Sequence, residues 1–137
     1  MTGPEEHRVL ETVTGEDTLE RIQQVLDEVW AAHDISDTVR MHIELAASEI
    51  GANIIEHSAD GKSVCLQMEV TVLPEEVRLT FTDDGHPAPV DLSSVSMPDE
   101  NAERGRGLAI AHRILDELSY RRDRAGNHWT LVRRRDT

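Results

Sequence analysis

The chain lacks most of what would tie it to an oxidising compartment or a membrane. It holds one cysteine, Cys65, which excludes an internal disulfide and fits a reducing compartment. Two Trp, one Tyr and one Phe are its only aromatics, so Leu, Ile, Val and Ala must fill the core, and a hydrophobic content of 38% is enough for that. No apolar run approaches the roughly 20 residues that cross a bilayer. The opening Met1-Thr2-Gly3-Pro4-Glu5-Glu6 has neither a basic start nor an apolar stretch, so no secretory signal is visible. The expectation is a soluble, cytoplasmic protein.

Positive charge is also scarce. A net charge of −13 argues against direct binding to nucleic acid or to an anionic membrane. It leaves room for a nucleotide, which needs only local donors and a metal ion. The imbalance is uneven, because Arg121, Arg122, Arg124, Arg133, Arg134 and Arg135 crowd towards the C-terminus. A basic hairpin on an acidic domain could meet a partner, although a solvated sheet edge has the same composition.

A length of 137 residues supports one domain with one core, and the expectation is a single domain over residues 1–137. Residues 7–14 alternate loosely and read as a strand. Over residues 17–33, Leu19, Ile22, Val25, Leu26, Val29 and Trp30 recur at helical spacing. Ser36 is placed to cap a second helix reaching about residue 57, with Val39, Ile43, Ala46, Ala47, Ile50 and Ile54 as its buried side. Residues 58–61 read as a turn. Residues 64–72 and 77–82 alternate strictly about Pro74-Glu75-Glu76 and form the clearest hairpin.

Residues 86–104 have no usable periodicity, and a stretch of that length inside one domain usually serves as a functional loop. A third helix follows, with Leu108, Ile110, Ala111, Ile114, Leu115 and Leu118 as its stripe. Two last strands, near residues 118–122 and 128–134, are joined through Ala125-Gly126-Asn127. Tight turns between neighbouring strands predict an α+β two-layer sandwich, its mostly antiparallel mixed sheet covered on one face by helices.

Three stretches carry candidate chemistry. Glu49, Asn53 and His57 are spaced four apart, so they stack along one helix face with a drift of about 40°. A carboxamide oxygen suits Mg²⁺, and a glutamate one turn away could serve as a general base; spacing alone also allows three ordinary surface residues. Asp83-Asp84-Gly85 ends a strand, where a carboxylate could accept from an exocyclic amino group and a glycine could admit a base, or where an acidic turn simply follows. Gly105-Arg106-Gly107-Leu108 opens a helix, a place suited to phosphate oxygens and also an ordinary way into a helix. Its spacing matches neither a P-loop nor a dinucleotide-binding turn.

In this order, the three stretches resemble the nucleotide-binding boxes of the ATPase superfamily shared by histidine kinases, gyrase and MutL. Glu49-x3-Asn53-x3-His57 resembles the N-box, Asp83-x-Gly85 the first glycine box, and Gly105-x-Gly107-Leu108 the second. In a chain this short the resemblance is to the anti-sigma-factor serine/threonine kinase branch. It implies the histidine-kinase-like (Bergerat) fold, with ATP and Mg²⁺ as cofactors. Asn53 would hold the metal, and Asn53, His57, Asp83, Gly85, Gly105, Arg106, Gly107 and Leu108 would bind the nucleotide. Residues 86–104 would be the lid over it, and Glu49 the catalytic base for a partner's hydroxyl.

The implied partners are a sigma factor and a STAS-type anti-sigma antagonist, with a homodimer possible and with Arg21 on the first helix as a contact. Pro87 departs from the pattern, standing where the family often has a second glycine. The resemblance includes no phosphoacceptor helix and no transducer domain. Two alternatives accompany the kinase: a non-catalytic, nucleotide-dependent switch on the same fold, and a detached catalytic domain that phosphorylates histidine.

Overall fold

A computed structural model describes residues 5–58, 62–87 and 103–135, side chains excepted at 57, 58 and 103–106. The described elements run β1 (Glu6–Val13), α1 (Thr18–Ala32), α2 (Asp37–Asn53), β2 (Cys65–Val72), β3 (Glu76–Asp83), α3 (Glu103–Ile114), β4 (Glu117–Asp123) and β5 (Gly126–Arg134). A five-residue π turn, Ile54–Ser58, extends α2. The strands form one sheet in the order β1-β2-β3-β5-β4. Among the described residues every pairing is antiparallel, so the expected two-layer α+β sandwich is seen there without the parallel component of a mixed sheet.

Strand alternation decides which face is buried. On β3, Val77, Leu79, Phe81 and Asp83 point inward while Glu76, Arg78, Thr80 and Thr82 stay half-exposed. On β5 the inward row is Asn127, Trp129, Leu131 and Arg133. Ile22, Leu26, Val29 and Trp30 of α1, the α2 stripe, and Leu108 and Ala111 of α3 join these strands in one apolar cluster. All six residues predicted for the buried side of the second helix are at most 1% exposed. Burying an Ile or Val side chain is worth about 1.5–3 kcal/mol. Packing therefore fixes α2, and with it the rotation of Glu49 and Asn53.

Several boundaries differ from the sequence reading. Leu19 and Ile110 are each 39% exposed, at the outer margins of stripes that were expected to be buried. In β1 the inward residue is Leu10, whereas Val9 and Val13 lie exposed on the uncovered side of the sheet. Arg21 is half-buried rather than exposed, and it donates to Thr12 Oγ1 at 2.6 Å, which ties it to β1. The α-helical part of α2 stops at Asn53, short of His57. The third helix starts at Glu103, so Gly105-Arg106-Gly107-Leu108 lies within α3 rather than on a turn before it. Most of the turn 58–61 and of the lid segment 86–104 lies outside the described residues.

No helix among the described residues is long and apolar enough to cross a membrane.

Candidate functional site

Glu49 and Asn53 sit one turn apart near the end of α2, both half-buried at the margin of its apolar stripe. Asn53 donates its Nδ2 to Glu49 O at 3.1 Å. The oxygen of the carboxamide is then the end left to meet a cation. Directly after Asn53 the backbone widens into the π turn, a feature frequent at functional sites. The wider turn ends the four-residue spacing, so His57 no longer continues the stripe by helical geometry; its side chain lies outside the described residues.

Glu49 is brought against α3. A Cβ placed on Gly107 would lie 2.0 Å from the Glu49 carboxyl carbon and 2.0 Å from its Oε1. Only a residue without a side chain lets the carboxylate come so near the helix backbone. Burial pushes the Glu49 carboxyl above its ordinary value of 4.5, and the nearby Glu56 charge adds to the shift. Leu108, the last residue of the motif, is 3% exposed and belongs to the core. Gly105 and Arg106 lie in the first turn of α3; the side chain of Arg106 is outside the described residues.

Asp83 takes the last inward position on β3, where the preceding alternation would place an apolar residue. It is 1% exposed. Its Oδ1 accepts from Gly85 N at 2.9 Å and from Asn127 Nδ2 at 3.0 Å. Its Oδ2 is buried without a hydrogen-bond partner among the described residues. An unmatched buried carboxylate oxygen is costly, and a donor from a ligand would remove the penalty. Asp83 faces the layer between sheet and helices, the same layer that Glu49 borders. Asp84 turns away and caps β2, accepting from Cys65 N at 2.9 Å.

Asn127 is the residue that the sequence reading missed. It pairs with Asp83 as the last rung between β3 and β5 and is fully buried. Besides Asp83, its Nδ2 donates to His86 O at 2.7 Å. Its Oδ1 accepts from Arg122 Nη1 at 3.0 Å and from the Tyr120 hydroxyl. Arg122 also donates to Gly85 O at 2.9 Å. The segment containing Gly85 and His86, just before Pro87, is thus held by the β4–β5 hairpin. An asparagine after a glycine reads in sequence as a turn residue, and nothing local marks it as more.

The described residues thus form two constellations, Glu49 with Asn53 and Gly107, and Asp83 with Gly85 and Asn127. No cluster of three or more His, Cys, Asp and Glu side chains that could hold a metal occurs among the described residues. Any Mg²⁺ here would lean on Asn53, phosphate oxygens and water, which suits an ion that keeps much of its hydration.

Comparisons with known proteins agree with this architecture. No curated protein matches the chain. Among solved structures, the histidine kinase domain from the Erythrobacter litoralis EL346 blue-light activated histidine kinase matches with a TM-score of 0.57 and 21% identity. The match covers 85% of this chain and 59% of that one, and at this identity it is a likeness of fold. The profile of the histidine kinase-like ATPase domain matches residues 14–133. Those residues span β2, β3, all three helices and nearly the whole β4–β5 hairpin, and the chain belongs to the histidine kinase-like ATPase domain family.

Proposed function

We propose that the chain is an ATP-dependent regulatory kinase of the anti-sigma type. It would phosphorylate a serine or threonine on a STAS-type antagonist and otherwise hold a sigma factor, as a monomer or a homodimer. The observation that carries the nucleotide reading is the orphaned, buried Asp83 Oδ2. An adenine amino group would supply the missing donor there.

Phosphoryl transfer depends on positioning and charge neutralisation more than on covalent chemistry by the protein. In the proposed reaction the partner's hydroxyl oxygen bonds to the γ-phosphorus. The bond from that phosphorus to the β-phosphate bridging oxygen breaks, and ADP leaves. Glu49 accepts the hydroxyl proton; its raised affinity for protons moves it towards the range useful to a general base. Asn53 would hold Mg²⁺ on the phosphates, and the first turns of α3, with Gly105, Arg106, Gly107 and Leu108, would lie beside them.

The test uses γ-labelled ATP, a candidate antagonist and Glu49→Gln. Loss of a base is expected to lower transfer by roughly 10²–10⁴-fold. ATP affinity measured by calorimetry should stay within about threefold, since a base contributes to the transition state rather than to ground-state binding. Unchanged transfer would remove Glu49 from the role, and an acid-labile product would replace serine with histidine as the acceptor.

A further inference from the structure

We propose that Asn127 is a positioning residue that sets base selectivity. By engaging Asp83 Oδ1 it leaves Oδ2 as the one oxygen open to a ligand, and so favours a purine with an amino donor at that point. The proposal rests on the ATP reading above and adds to it the residue that enforces the choice of base.

A carboxylate has two chemically equivalent oxygens and about four lone-pair directions. Left to rotate, Asp83 could swing its oxygens away from the base, and the acceptor that distinguishes an amine from a carbonyl would be held in place only part of the time. Here the rotation is blocked. Oδ1 receives Gly85 N and Asn127 Nδ2 at 2.9 and 3.0 Å, whereas Oδ2 is buried and receives nothing from the described residues.

Asn127 cannot relax by turning its amide over. The Tyr120 hydroxyl and Arg122 Nη1 donate to its oxygen, and its nitrogen donates to Asp83 Oδ1 and His86 O. A flip would set donor against donor at Arg122 and acceptor against acceptor at Asp83 and His86, with only the Tyr120 hydroxyl able to adapt. The carboxamide is therefore polarised towards Asp83 by the hairpin behind it. A guanine carbonyl would then bring an acceptor to an acceptor at a buried carboxylate, which excludes more strongly than the mere lack of a contact.

The decisive measurement compares ATP with purine riboside triphosphate, the analogue with hydrogen in place of the adenine amino group. The unaltered chain should prefer ATP by about tenfold or more, the range for a hydrogen bond to a charged acceptor. Asn127→Ala should weaken ATP and leave the analogue within about twofold, so that the preference collapses towards one. If both nucleotides weaken by the same factor, Asn127 only closes the sheet and the proposal is overturned.

Arg122→Ala alters an exposed side chain and tests the same network without opening the core. It should lower the preference part of the way, to about threefold. Should Asn127→Ala fail to fold, an unchanged preference in Arg122→Ala overturns the proposal on its own. An unaltered chain that binds the two nucleotides equally defeats the adenine contact itself. A preference that survives in the variants defeats only the role of Asn127.

Discussion

At the scale of single residues, Gly126 shows how closely the last hairpin is pressed against β3. Its φ is +125°, and a Cβ there would lie 2.0 Å from Asp83 O. Both the backbone angle and the neighbouring carbonyl oppose a side chain, and backbone cannot swing aside as a rotamer can. Gly126→Ala is expected to cost about 2–4 kcal/mol, combining left-handed strain with overpacking. A urea titration should show a lower midpoint at unchanged slope. A midpoint within error of the parent would mean that the close approach is absent. The contact at Gly107 is of another kind, because there the obstacle is the end of the Glu49 side chain.

At the scale of elements, α2 was the most legible part of the chain. Ser36 caps it, accepting from Val39 N at 3.3 Å, and Asp37 adds a negative charge to its first turn. Ser36→Ala should cost about 1 kcal/mol and lower the melting temperature by a few degrees. A shift no larger than that of an exposed Ser→Ala control would show that the cap contributes nothing. The cap and the stripe from Val39 to Ile54 were readable because helical period and capping chemistry are local. The same holds for the β2–β3 hairpin and its turn at Pro74.

The start of α3 was less legible. Two glycines read as a loop, yet helix runs through them from Glu103. Gly107 is tolerated there because it makes room for Glu49, a contact between positions 58 residues apart in the chain. Of the candidate site, Glu49, Asn53 and Asp83 could be named from pattern, since each interrupts or borders an apolar period. Asn127 could not, because its meaning comes from a rung that joins it to Asp83 across the sheet. The end of the stripe at His57 was also hidden, because a π turn has no simple residue signature.

At the scale of the molecule, charge is arranged more tightly than the net value of −13 implies. Much of the basic C-terminal run is absorbed by the fold. Arg121 pairs with Asp123 at 2.7 Å, Arg135 with Glu5 at 3.0 Å, and Arg133 donates to His42 at 3.1 Å. A hydrogen bond from His33 holds the Glu6 carboxyl below its ordinary value, with Arg8 adding to it against the opposing effect of desolvation. His128 and Arg121 hold Asp123 far below its own.

A carboxyl depressed in the folded state adds stability above its unfolded value and gives it up as pH falls through the folded one. The ordinary values are 4.5 for Glu6 and 3.8 for Asp123, so their contribution should be intact at neutral pH and drain away in stronger acid. Glu49 works in the opposite sense: its raised value makes the ionised form a cost at neutral pH, which acid relieves. Stability followed from pH 7 to acid should therefore fall less steeply in Glu6→Gln and Asp123→Asn than in the parent. Parallel curves would show that these pairs are screened to no effect.

The strand order has a consequence for how the site comes into being. β5 lies between β3 and β4 in the sheet, although it follows both in the chain. While the chain is being synthesised, β2 and β3 can pair as soon as they emerge, but β3 keeps an open edge until β5 arrives. Until then Asp83 has no Asn127 beside it, and its carboxylate is neither oriented nor enclosed. A nascent chain that stops before Gly126 would carry the aspartate without the partner that orients it, and under the proposed role of Asn127 discrimination between nucleotides would be a late marker of complete folding.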